Sequence, residues 1–301
     1  MKIILYYLSL PILYGLSYLP FWILYRISDG LFLIIYYLIG YRKKVVTTNL
    51  EKSFPEKTKA EIKKIRRNYY RYFCDLIVET LKTLTISPEG LRKRVAFEDT
   101  SLFEVYYADN QSVIVVMGHL GNWELAGARF ALEPIHQLYV IYHPLKNAHF
   151  ENLIVKARTR LGNGLYPMKI AFRGMVGNRK NTTATAFIAD QTPSPQNAHW
   201  MEFLNQDTPV FIGTEKLAKK LKYPIIYISV KRPKRGFYTI KGELLFAHPE
   251  QTIDGEISEV HTRCLEKDIR EQPEIWLWSH RRWKHQRTKA LNLKTTLRGQ
   301  K

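Results

Sequence analysis

The stretch "VIVVMGHLGNWELAG", residues 113–127, joins a short run of mostly β-branched residues to the first turn of a helix. Its five leading apolar residues fit a strand that is buried on both faces, and a helical pattern begins near Trp123. Ligands of open α/β sheets collect outside the carboxyl ends of the strands. The strand would deliver His119 to that edge, and Glu124 would stand on the first helical turn. The stretch therefore predicts an α/β sheet with a polar site at its edge.

Similar short apolar runs alternate with helical stretches from about residue 95 onward. We predict strands at residues 95–97, 113–117, 138–142, 165–168, 184–189, 225–230 and 237–240. Nearly all-apolar strands separated by helices are typical of a mainly parallel sheet flanked by helices. No internal repeat, low-complexity segment or obvious linker interrupts residues 95–272. The sequence therefore predicts an α/β fold with a mainly parallel central sheet and one catalytic domain over residues 95–287.

The N-terminus differs in kind from the rest, because residues 3–25 contain no charged side chain over 23 positions. This length is about what is needed to cross a bilayer core of roughly 30 Å. Pro11 and Pro20 interrupt the run, so a kinked span and a helical hairpin in the interface both stay open. We predict that residues 1–45 are a helical membrane anchor, with a buried core hairpin as the alternative. The basic residues 42–44 follow it and, by the positive-inside tendency, predict a cytoplasmic location for the rest of the chain.

A basic segment, residues 46–94, follows the predicted anchor. Ser53 and Glu56 predict a helix start, and helical periodicity continues to about Leu84. One face of this helix is strongly basic: Lys57, Lys59, Lys63, Lys64, Arg66, Arg67 and Arg71. We predict a membrane-proximal helix whose basic face lies either against anionic headgroups or in solvent. A second basic segment, residues 288–301, is predicted to be a tail.

The 301 residues carry 46 Lys and Arg against 27 Asp and Glu, a formal net charge of +19. This excess attracts anionic partners, so a membrane-tethered protein that binds anionic lipid or nucleic acid is the alternative from another class. The chain has no nucleic-acid recognition motif, and we predict no nucleic-acid partner. Residues 276–283 combine tryptophans with cations, which suits a headgroup-level surface, an acidic carrier protein or a packed C-terminal helix. Cys74 and Cys264 lie far apart, which favours a reducing compartment.

His119 and Glu124 lie five residues apart across the predicted turn. A tight turn can fold the carboxylate back to one imidazole nitrogen, which would fix the tautomer and leave Nε2 as a proton acceptor. The chain has no GxSxG motif and no suitably placed cysteine to serve as a nucleophile. The pattern favours a histidine base that activates a substrate hydroxyl or water for attack on a carbonyl. The alternative is a His and a Glu that only satisfy a loop.

The heptapeptide "GHLGNWE", residues 118–124, resembles the HX4D/E motif of glycerolipid-type acyltransferases, in the form used by the lipid A biosynthesis (late) acyltransferase family. Further stretches lie in the order found in that family: "LIGYRKKVVTTNLEKSFPE", "YHPLKNAHFENLIVKARTRLG", "FIADQTP", "FLNQDTPVFIGTEKLAKK" and "IWLWSHRRWKHQR". The resemblance covers about residues 10–287 and is weakest at residues 173–185 and 231–262. The order of the stretches argues against a chance match of one short motif.

The resemblance implies an enzyme of the bacterial inner membrane whose catalytic domain faces the cytoplasm. It would move a fatty acyl chain from the thioester of acyl carrier protein, or of coenzyme A, to a hydroxyl of a lipid A precursor, without a covalent enzyme intermediate. His119 would be the general base and Glu124 its orienter. Arg158 and Arg160 would bind the oxyanion or a phosphate, with a solvated basic helix face as the alternative. Another lipid acceptor, such as a lysophospholipid, an aminolipid or another glycolipid, stays open, as does hydrolysis.

Six positions are candidates for the acceptor pocket: Gly121, Asn122, Trp123, Asp190, Gln191 and Gly213. Asp190 ends a strand that reads as central and resembles the family's acidic residue there, while a strand-end Asp that caps a turn is the alternative. Asn122 and Trp123 have the alternative of closing the turn and packing on the sheet. Gly213 opens a predicted helix whose amides favour an anionic group. Neither a metal nor a bound cofactor is predicted, because the chain has no HExxH motif and no Cys and His cluster.

Overall fold

The computed structural model describes residues 2–287, and the predicted basic tail, residues 288–301, lies outside them. The described chain has nine strands: β1 (Val95–Phe97), β2 (Val113–Met117), β3 (Gln137–Tyr142), β4 (Gly164–Pro167), β5 (Thr183–Ile188), β6 (Ala198–Phe203), β7 (Gln206–Phe211), β8 (Ile225–Lys234) and β9 (Phe237–Phe246). Seven strands form one sheet in the order β1, β9, β8, β2, β5, β3, β4, and β6 pairs with β7. The strands β8, β2, β5, β3 and β4 are parallel, and β9 is antiparallel to β8. The prediction of a mainly parallel α/β sheet is confirmed.

Helices cover both faces of this sheet. The α-helices between residues 2 and 287 are α1 (Lys2–Tyr18), α2 (Phe21–Phe32), α3 (Lys43–Ser53), α4 (Lys59–Lys82), α5 (Pro88–Arg92), α6 (Ser101–Ala108), α7 (Trp123–Phe130), α8 (Ala148–Thr159), α9 (Ala171–Gly177), α10 (Gly213–Leu221) and α11 (Glu256–Glu271). A π-helical segment, Leu33–Ile39, continues α2. Helices α4, α10 and α11 contribute to one hydrophobic cluster, whereas α5, α6 and α7 contribute to the other.

Strand β2 lies between β8 and β5, near the middle of the sheet. Ile114 and Val116 belong to one buried hydrophobic cluster, and Val113 and Val115 belong to the other. Successive side chains of a strand point to opposite faces, so both faces of β2 are covered by helices. This double burial explains the unbroken apolar run. It also sets the residues that follow Met117 in the middle of the carboxyl edge.

The sequence pattern does not predict the hairpin of β6 and β7. Phe203 pairs with Gln206, so Leu204 and Asn205 alone form the turn. Both turn residues have positive φ, 50° and 59°, as a two-residue hairpin turn of type I′ requires. A leucine at such a position gives no turn signal, and the two strands mix polar with apolar residues. Asn205 was therefore the sole local sign of this hairpin.

The helix start predicted at Ser53 is wrong, because α3 ends there and α4 begins at Lys59. Thr58 caps α4, since its Oγ1 accepts the backbone N–H of Glu61 at 3.3 Å. The Glu61 carboxylate accepts the backbone N–H of Thr58 at 2.8 Å in return. This reciprocal pair satisfies two N–H groups at the start of α4. The true capping box lies five residues after the predicted one, beyond the turn that contains Pro55.

The uncharged N-terminal run forms two helices, because α1 ends at Tyr18 and α2 begins after Pro20. By length and composition alone, the helical stretch Phe21–Ile39, 19 residues long, could cross a membrane. One side of this stretch packs against α4 and buries Leu24 and Phe32, and its other side is largely exposed. The N-terminal helices are thus attached to the rest of the fold along α4.

Candidate active site

His119 and Asp190 meet at the carboxyl edge of the sheet. Strands β2 and β5 are parallel neighbours with Met117 opposite Ile188, so the residues two positions further on each strand also face each other. Nδ1 of His119 lies 2.6 Å from Oδ1 of Asp190. The backbone N–H of His119 donates to Oδ2 of the same carboxylate at 2.8 Å. The register of the sheet thus brings an acid to the imidazole from the neighbouring strand.

The Asp190 carboxylate is buried but ionised at neutral pH. Burial raises its pKa, but the neighbouring His119 imidazole and the N–H groups that donate to it outweigh burial and lower the pKa to about 2. One of these donors is the indole Nε1 of Trp276, at 2.8 Å from Oδ2. An ionised carboxylate at Nδ1 requires the proton on that nitrogen, so the neutral imidazole keeps Nε2 as an acceptor. The arrangement is that of a base with its orienting acid.

His119 lines a cavity of about 570 Å³. Its Nε2 lies 3.3 Å from Nε2 of Gln191, and its ring meets the Trp123 ring edge to face at a centroid distance of 4.8 Å. Both neighbours also line the cavity. Much of the remaining wall is apolar, including Val140, Ile154, Met168, Phe187, Phe211 and Leu217. Such a cavity places an apolar substrate beside a proton acceptor.

The structure corrects the predicted contact between Glu124 and His119. Asp190 occupies Nδ1 of the imidazole, and the Glu124 carboxylate binds the guanidinium of Arg158 on α8 instead. Nε of Arg158 donates to Oε2 at 2.9 Å, and Nη2 donates to Oε1. Burial lowers the pKa of Arg158, but the pairing with Glu124 outweighs burial and raises it. The prediction failed because Nδ1 is reached from the neighbouring strand, whereas the first turn of α7 directs its carboxylate toward α8.

Of the two predicted arginines, the structure brings Arg158 and not Arg160 to the cavity. Arg160 donates from Nε to the carbonyl oxygen of Thr83 at 3.1 Å, and from Nη2 to the carbonyl oxygen of Ile86. These carbonyls lie just beyond the end of α4, where basic side chains are favourable. The structure therefore places Arg160 outside the cavity, away from where the predicted oxyanion or phosphate partner would lie.

Gly121 and Asn122 shape the turn and do not line the cavity. Gly121 has a φ of +59°, and a Cβ there would lie 2.5 Å from the carbonyl oxygen of Val230, so the position requires glycine. Asn122 is buried, and its Oδ1 accepts the backbone N–H of Leu125 at 2.9 Å, which caps α7. Its Nδ2 donates to Oε2 of Glu79 at 2.7 Å. The alternative of closing the turn therefore applies to Asn122, and Gly121 also has a structural place in the turn.

The other pocket candidates divide into two groups. Trp123 and Gln191 line the cavity. Asp190 lies behind His119 and contacts the imidazole instead of lining the cavity. Gly213 opens α10, as predicted, but does not line the cavity, and the Phe211 ring leaves no room for a Cβ there.

The C-terminal segment, residues 275–278, supports the active-site turn in a way that sequence reasoning missed. Leu120 and Trp276 form an antiparallel bridge, and the backbone N–H of Leu277 donates to the carbonyl oxygen of His119 at 3.2 Å. Both tryptophans of the segment are buried, and no α-helix follows α11 up to residue 287. The predicted headgroup surface and the packed helix are therefore both wrong for these tryptophans. The apolar run "IWLW" was the available signal for a buried extended segment.

A second layer of buried groups lies behind Asp190. His261 on α11 and Arg282 line, with Asp190, a small cavity of about 10 Å³. Burial lowers the pKa of His261 to about 4 and that of Arg282 to about 10, although the nearby Asp190 charge acts in the opposite direction on both. His261 is therefore uncharged at neutral pH. As the pH falls, the imidazole tends to take up a proton, and keeping a charged imidazole buried is unfavourable.

Similarity to known proteins extends over nearly the whole chain. The family model described as bacterial lipid A biosynthesis acyltransferase matches residues 1–285. The lipid A biosynthesis palmitoleoyltransferase of Escherichia coli (strain K12) is 25% identical over 248 residues, which are 81% of this chain and 79% of that protein. The lipid A biosynthesis lauroyltransferase of the same strain is 22% identical over 284 residues, 92% and 90% of the two chains. A lipid A biosynthesis acyltransferase of Haemophilus influenzae is 24% identical over 287 residues, 93% and 90% of the two chains. The chain therefore belongs to the bacterial lipid A biosynthesis acyltransferase family and is an O-acyltransferase.

Proposed function

We propose that this acyltransferase moves a fatty acyl chain from the thioester of acyl carrier protein, or of coenzyme A, to a hydroxyl of a lipid A precursor. Two relatives are named as palmitoleoyl and lauroyl transferases of lipid A biosynthesis, which supports a fatty acyl donor and a lipid acceptor. One observation carries the proposed mechanism. His119, with Nδ1 held by the ionised Asp190, lines a largely apolar cavity where a hydroxyl and a thioester can meet.

The proposed reaction is direct attack of the acceptor on the donor. Nε2 of His119 takes the hydroxyl proton while the hydroxyl oxygen attacks the thioester carbonyl. The new C–O bond forms, the C–S bond breaks, and the imidazolium gives its proton to the departing thiolate. Asp190 holds Nδ1–H throughout and stabilises the imidazolium while it carries the second proton. Because the acceptor oxygen is itself the nucleophile, no covalent enzyme intermediate is needed.

Arg158 is the proposed partner of the oxyanion. Its guanidinium lines the same cavity as His119 and is fixed by two hydrogen bonds to Glu124. A donor that is already held in place stabilises developing charge without rearrangement. In this proposal Glu124 acts through Arg158, as a positioning residue, instead of orienting the base. A phosphate of the acceptor is the alternative ligand of the same guanidinium.

The exposed apolar surface at the N-terminus supports a helical anchor in the bacterial inner membrane. Its large exposed side chains are Tyr7, Leu8, Ile12, Tyr18, Trp22, Leu33, Tyr37, Leu38 and Ile39. Large apolar side chains exposed together in this number are unfavourable in water and indicate a membrane or protein contact. The exposed basic residues of α4, among them Lys63 and Arg67, supply a surface for anionic headgroups. We therefore propose that the catalytic domain lies on the cytoplasmic face.

Acyl transfer by purified protein in detergent micelles tests the proposal. With acyl carrier protein carrying a fatty acyl chain as the donor, mass spectrometry should show a lipid A precursor gaining one acyl group. His119→Ala should lower the rate about 10²- to 10⁴-fold without loss of folding, and His248→Ala, at an exposed histidine, should react like wild type. Transfer to a lysophospholipid or an aminolipid in place of the lipid A precursor would overturn the proposed acceptor. Free fatty acid as the main product would make the enzyme a hydrolase.

A further inference from the structure

Glu79 on α4 joins three separate parts of the fold through its buried carboxylate. The hydroxyl of Tyr25 on α2 donates to Oε1 at 2.9 Å. Nδ2 of Asn122 donates to Oε2 at 2.7 Å, and so does the hydroxyl of Tyr238 on β9, also at 2.7 Å. Burial of a carboxylate is strongly unfavourable unless such donors satisfy it. Removal of any one donor leaves an under-satisfied buried group, so the three contacts depend on one another.

Asn122 connects this carboxylate to the active site. It lies between His119 and Glu124 in the turn, and its Oδ1 caps α7 through the backbone N–H of Leu125. Its Nδ2 is held by Glu79. A buried side chain bound at both its oxygen and its nitrogen cannot rotate without losing a hydrogen bond. The start of α7, and with it the direction of the Glu124 carboxylate, therefore depends on Glu79.

Tyr25 connects the same carboxylate to the N-terminal helices. It lies in the apolar stretch Phe21–Ile39, three residues before Ser28, whose hydroxyl donates to Oδ1 of Asp75 at 2.6 Å. Asp75 and Glu79 are four residues apart on α4, so they face α2 from successive helical turns. Helix α2 is thus bound to α4 through two buried carboxylates in addition to apolar packing. One of these carboxylates also reaches the active-site turn.

We propose that Glu79 is a positioning residue for acyl transfer, which holds the turn between β2 and α7 in its working geometry and couples that turn to helix α2. The catalytic part of this inference rests on the proposed function, whereas its structural part does not. A role for Glu79 in stability alone is the alternative. The two roles differ in whether the geometry of residues 118–127 changes when the Glu79 contacts change.

An exchange of donor and acceptor between residues 79 and 122 separates these roles. Asn122→Asp keeps the oxygen that caps α7 but sets a second carboxylate against Glu79, which is unfavourable. Glu79→Gln sets one amide against another, and the double variant restores a donor and an acceptor in reverse order. Tyr25→Phe removes the α2 contact alone. Tyr37→Phe, at an exposed side chain of the same apolar stretch, is the matched control.

Steady-state kinetics measures the catalytic part. We expect kcat to fall about tenfold in each single variant of the pair, with the KM of the acyl donor unchanged, and to recover to within about threefold of wild type in the double variant. Tyr25→Phe should lower kcat by about threefold, and Tyr37→Phe should leave it unchanged. The inference would be overturned if the double variant showed a loss of kcat equal to the product of the losses in the two single variants. Variants that lose thermal stability at an unchanged kcat would also overturn it.

Hydrogen–deuterium exchange of the peptide that covers residues 118–127 measures the structural part without any substrate. Asn122→Asp and Glu79→Gln should each raise its deuterium uptake, and the double variant should return it toward wild type. Unchanged uptake in both single variants would overturn the inference. If wild type transferred nothing to a lipid A precursor, the proposed function would fail, and the exchange pattern would still decide whether Glu79 positions the turn.

Discussion

Asp190 and Glu124 are two carboxylates at the same edge of the sheet, and they hold different partners. Asp190 follows β5 and binds Nδ1 of His119 at 2.6 Å, whereas Glu124 stands on the first turn of α7 and binds the guanidinium of Arg158. The first contact is fixed by the register of two neighbouring strands, and the second joins two helices. The proposed base and the proposed oxyanion partner are therefore held by separate acids, and each acid can be removed alone.

Two pairs are compared, Asp190 with His119 and Glu124 with Arg158. Among substitutions that break one pair alone, Asp190→Asn should lower kcat the most. An amide in place of the carboxylate no longer fixes the proton on Nδ1 and no longer stabilises the imidazolium. We expect kcat to fall about 10³- to 10⁴-fold, with little change in the KM of the acyl donor. Steady-state acyl-transfer rates check this, and thermal unfolding controls for folding. A loss smaller than about tenfold would mean that Asp190 does not orient the base.

The pH dependence of stability should separate Asp190 from the buried histidine behind it. The pKa of Asp190 is lowered from 3.8 to about 2, so its contribution to stability is present above about pH 4 and lost as the pH falls toward 2. Burial lowers the pKa of His261 from 6.5 to about 4, so the unfolded chain takes up this proton first. The free energy of unfolding should therefore fall by up to about 3 kcal/mol between pH 6.5 and pH 4 because of His261.

Chemical denaturation of His261→Gln across this range tests that assignment. The variant should lose less stability than wild type between pH 6.5 and pH 4. Burial also lowers the pKa of His280 to about 4. Because His280 is still present in His261→Gln, this variant should still lose some stability between pH 6.5 and pH 4. An identical pH dependence in wild type and His261→Gln would show that the buried imidazole is not responsible.

Arg158→Lys should have a smaller effect than Asp190→Asn. Lysine keeps the charge but cannot bind the Glu124 carboxylate with two parallel hydrogen bonds, so the proposed oxyanion donor loses its fixed position. We expect kcat to fall about 10²-fold. Glu124→Gln should reduce kcat less, and the double variant should match Arg158→Lys alone because the two residues act as a unit. Arg160→Lys, whose side chain binds carbonyls beyond α4, is the control with unchanged kcat. If the losses of kcat in the two single variants multiplied in the double variant, Glu124 would not act through Arg158.

The central strands β2, β5 and β8 could be predicted because they are largely buried on both faces. Strand β2 has the predicted ends, since its apolar residues face helices on both sides of the sheet. The hairpin of β6 and β7 lies outside that sheet and gives no such pattern. The helix start at Ser53 failed for a related reason. Local capping patterns occur twice near that point, at Ser53 and at Thr58, and the folded chain uses the second.

The place of His119 at the edge of the sheet followed from the strand before it, but its partner did not follow from local sequence. Glu124 was favoured because it lies five residues away. Asp190 lies 71 residues away from His119, and Trp276 lies a further 86 residues on. Their contacts depend on the order and register of strands, which the sequence of a single strand does not contain. The short motif therefore located the base, and the folded sheet selected its acid.

Nitrogen-15 NMR of protein labelled at histidine tests the contact between Asp190 and Nδ1 of His119 most directly. Signals assigned with His119→Ala should show that the neutral imidazole carries its proton on Nδ1 in wild type. This tautomer should be lost in Asp190→Asn and retained in Glu124→Gln. Its loss in Glu124→Gln, together with its retention in Asp190→Asn, would contradict the assignment of Asp190 as the acid that orients His119.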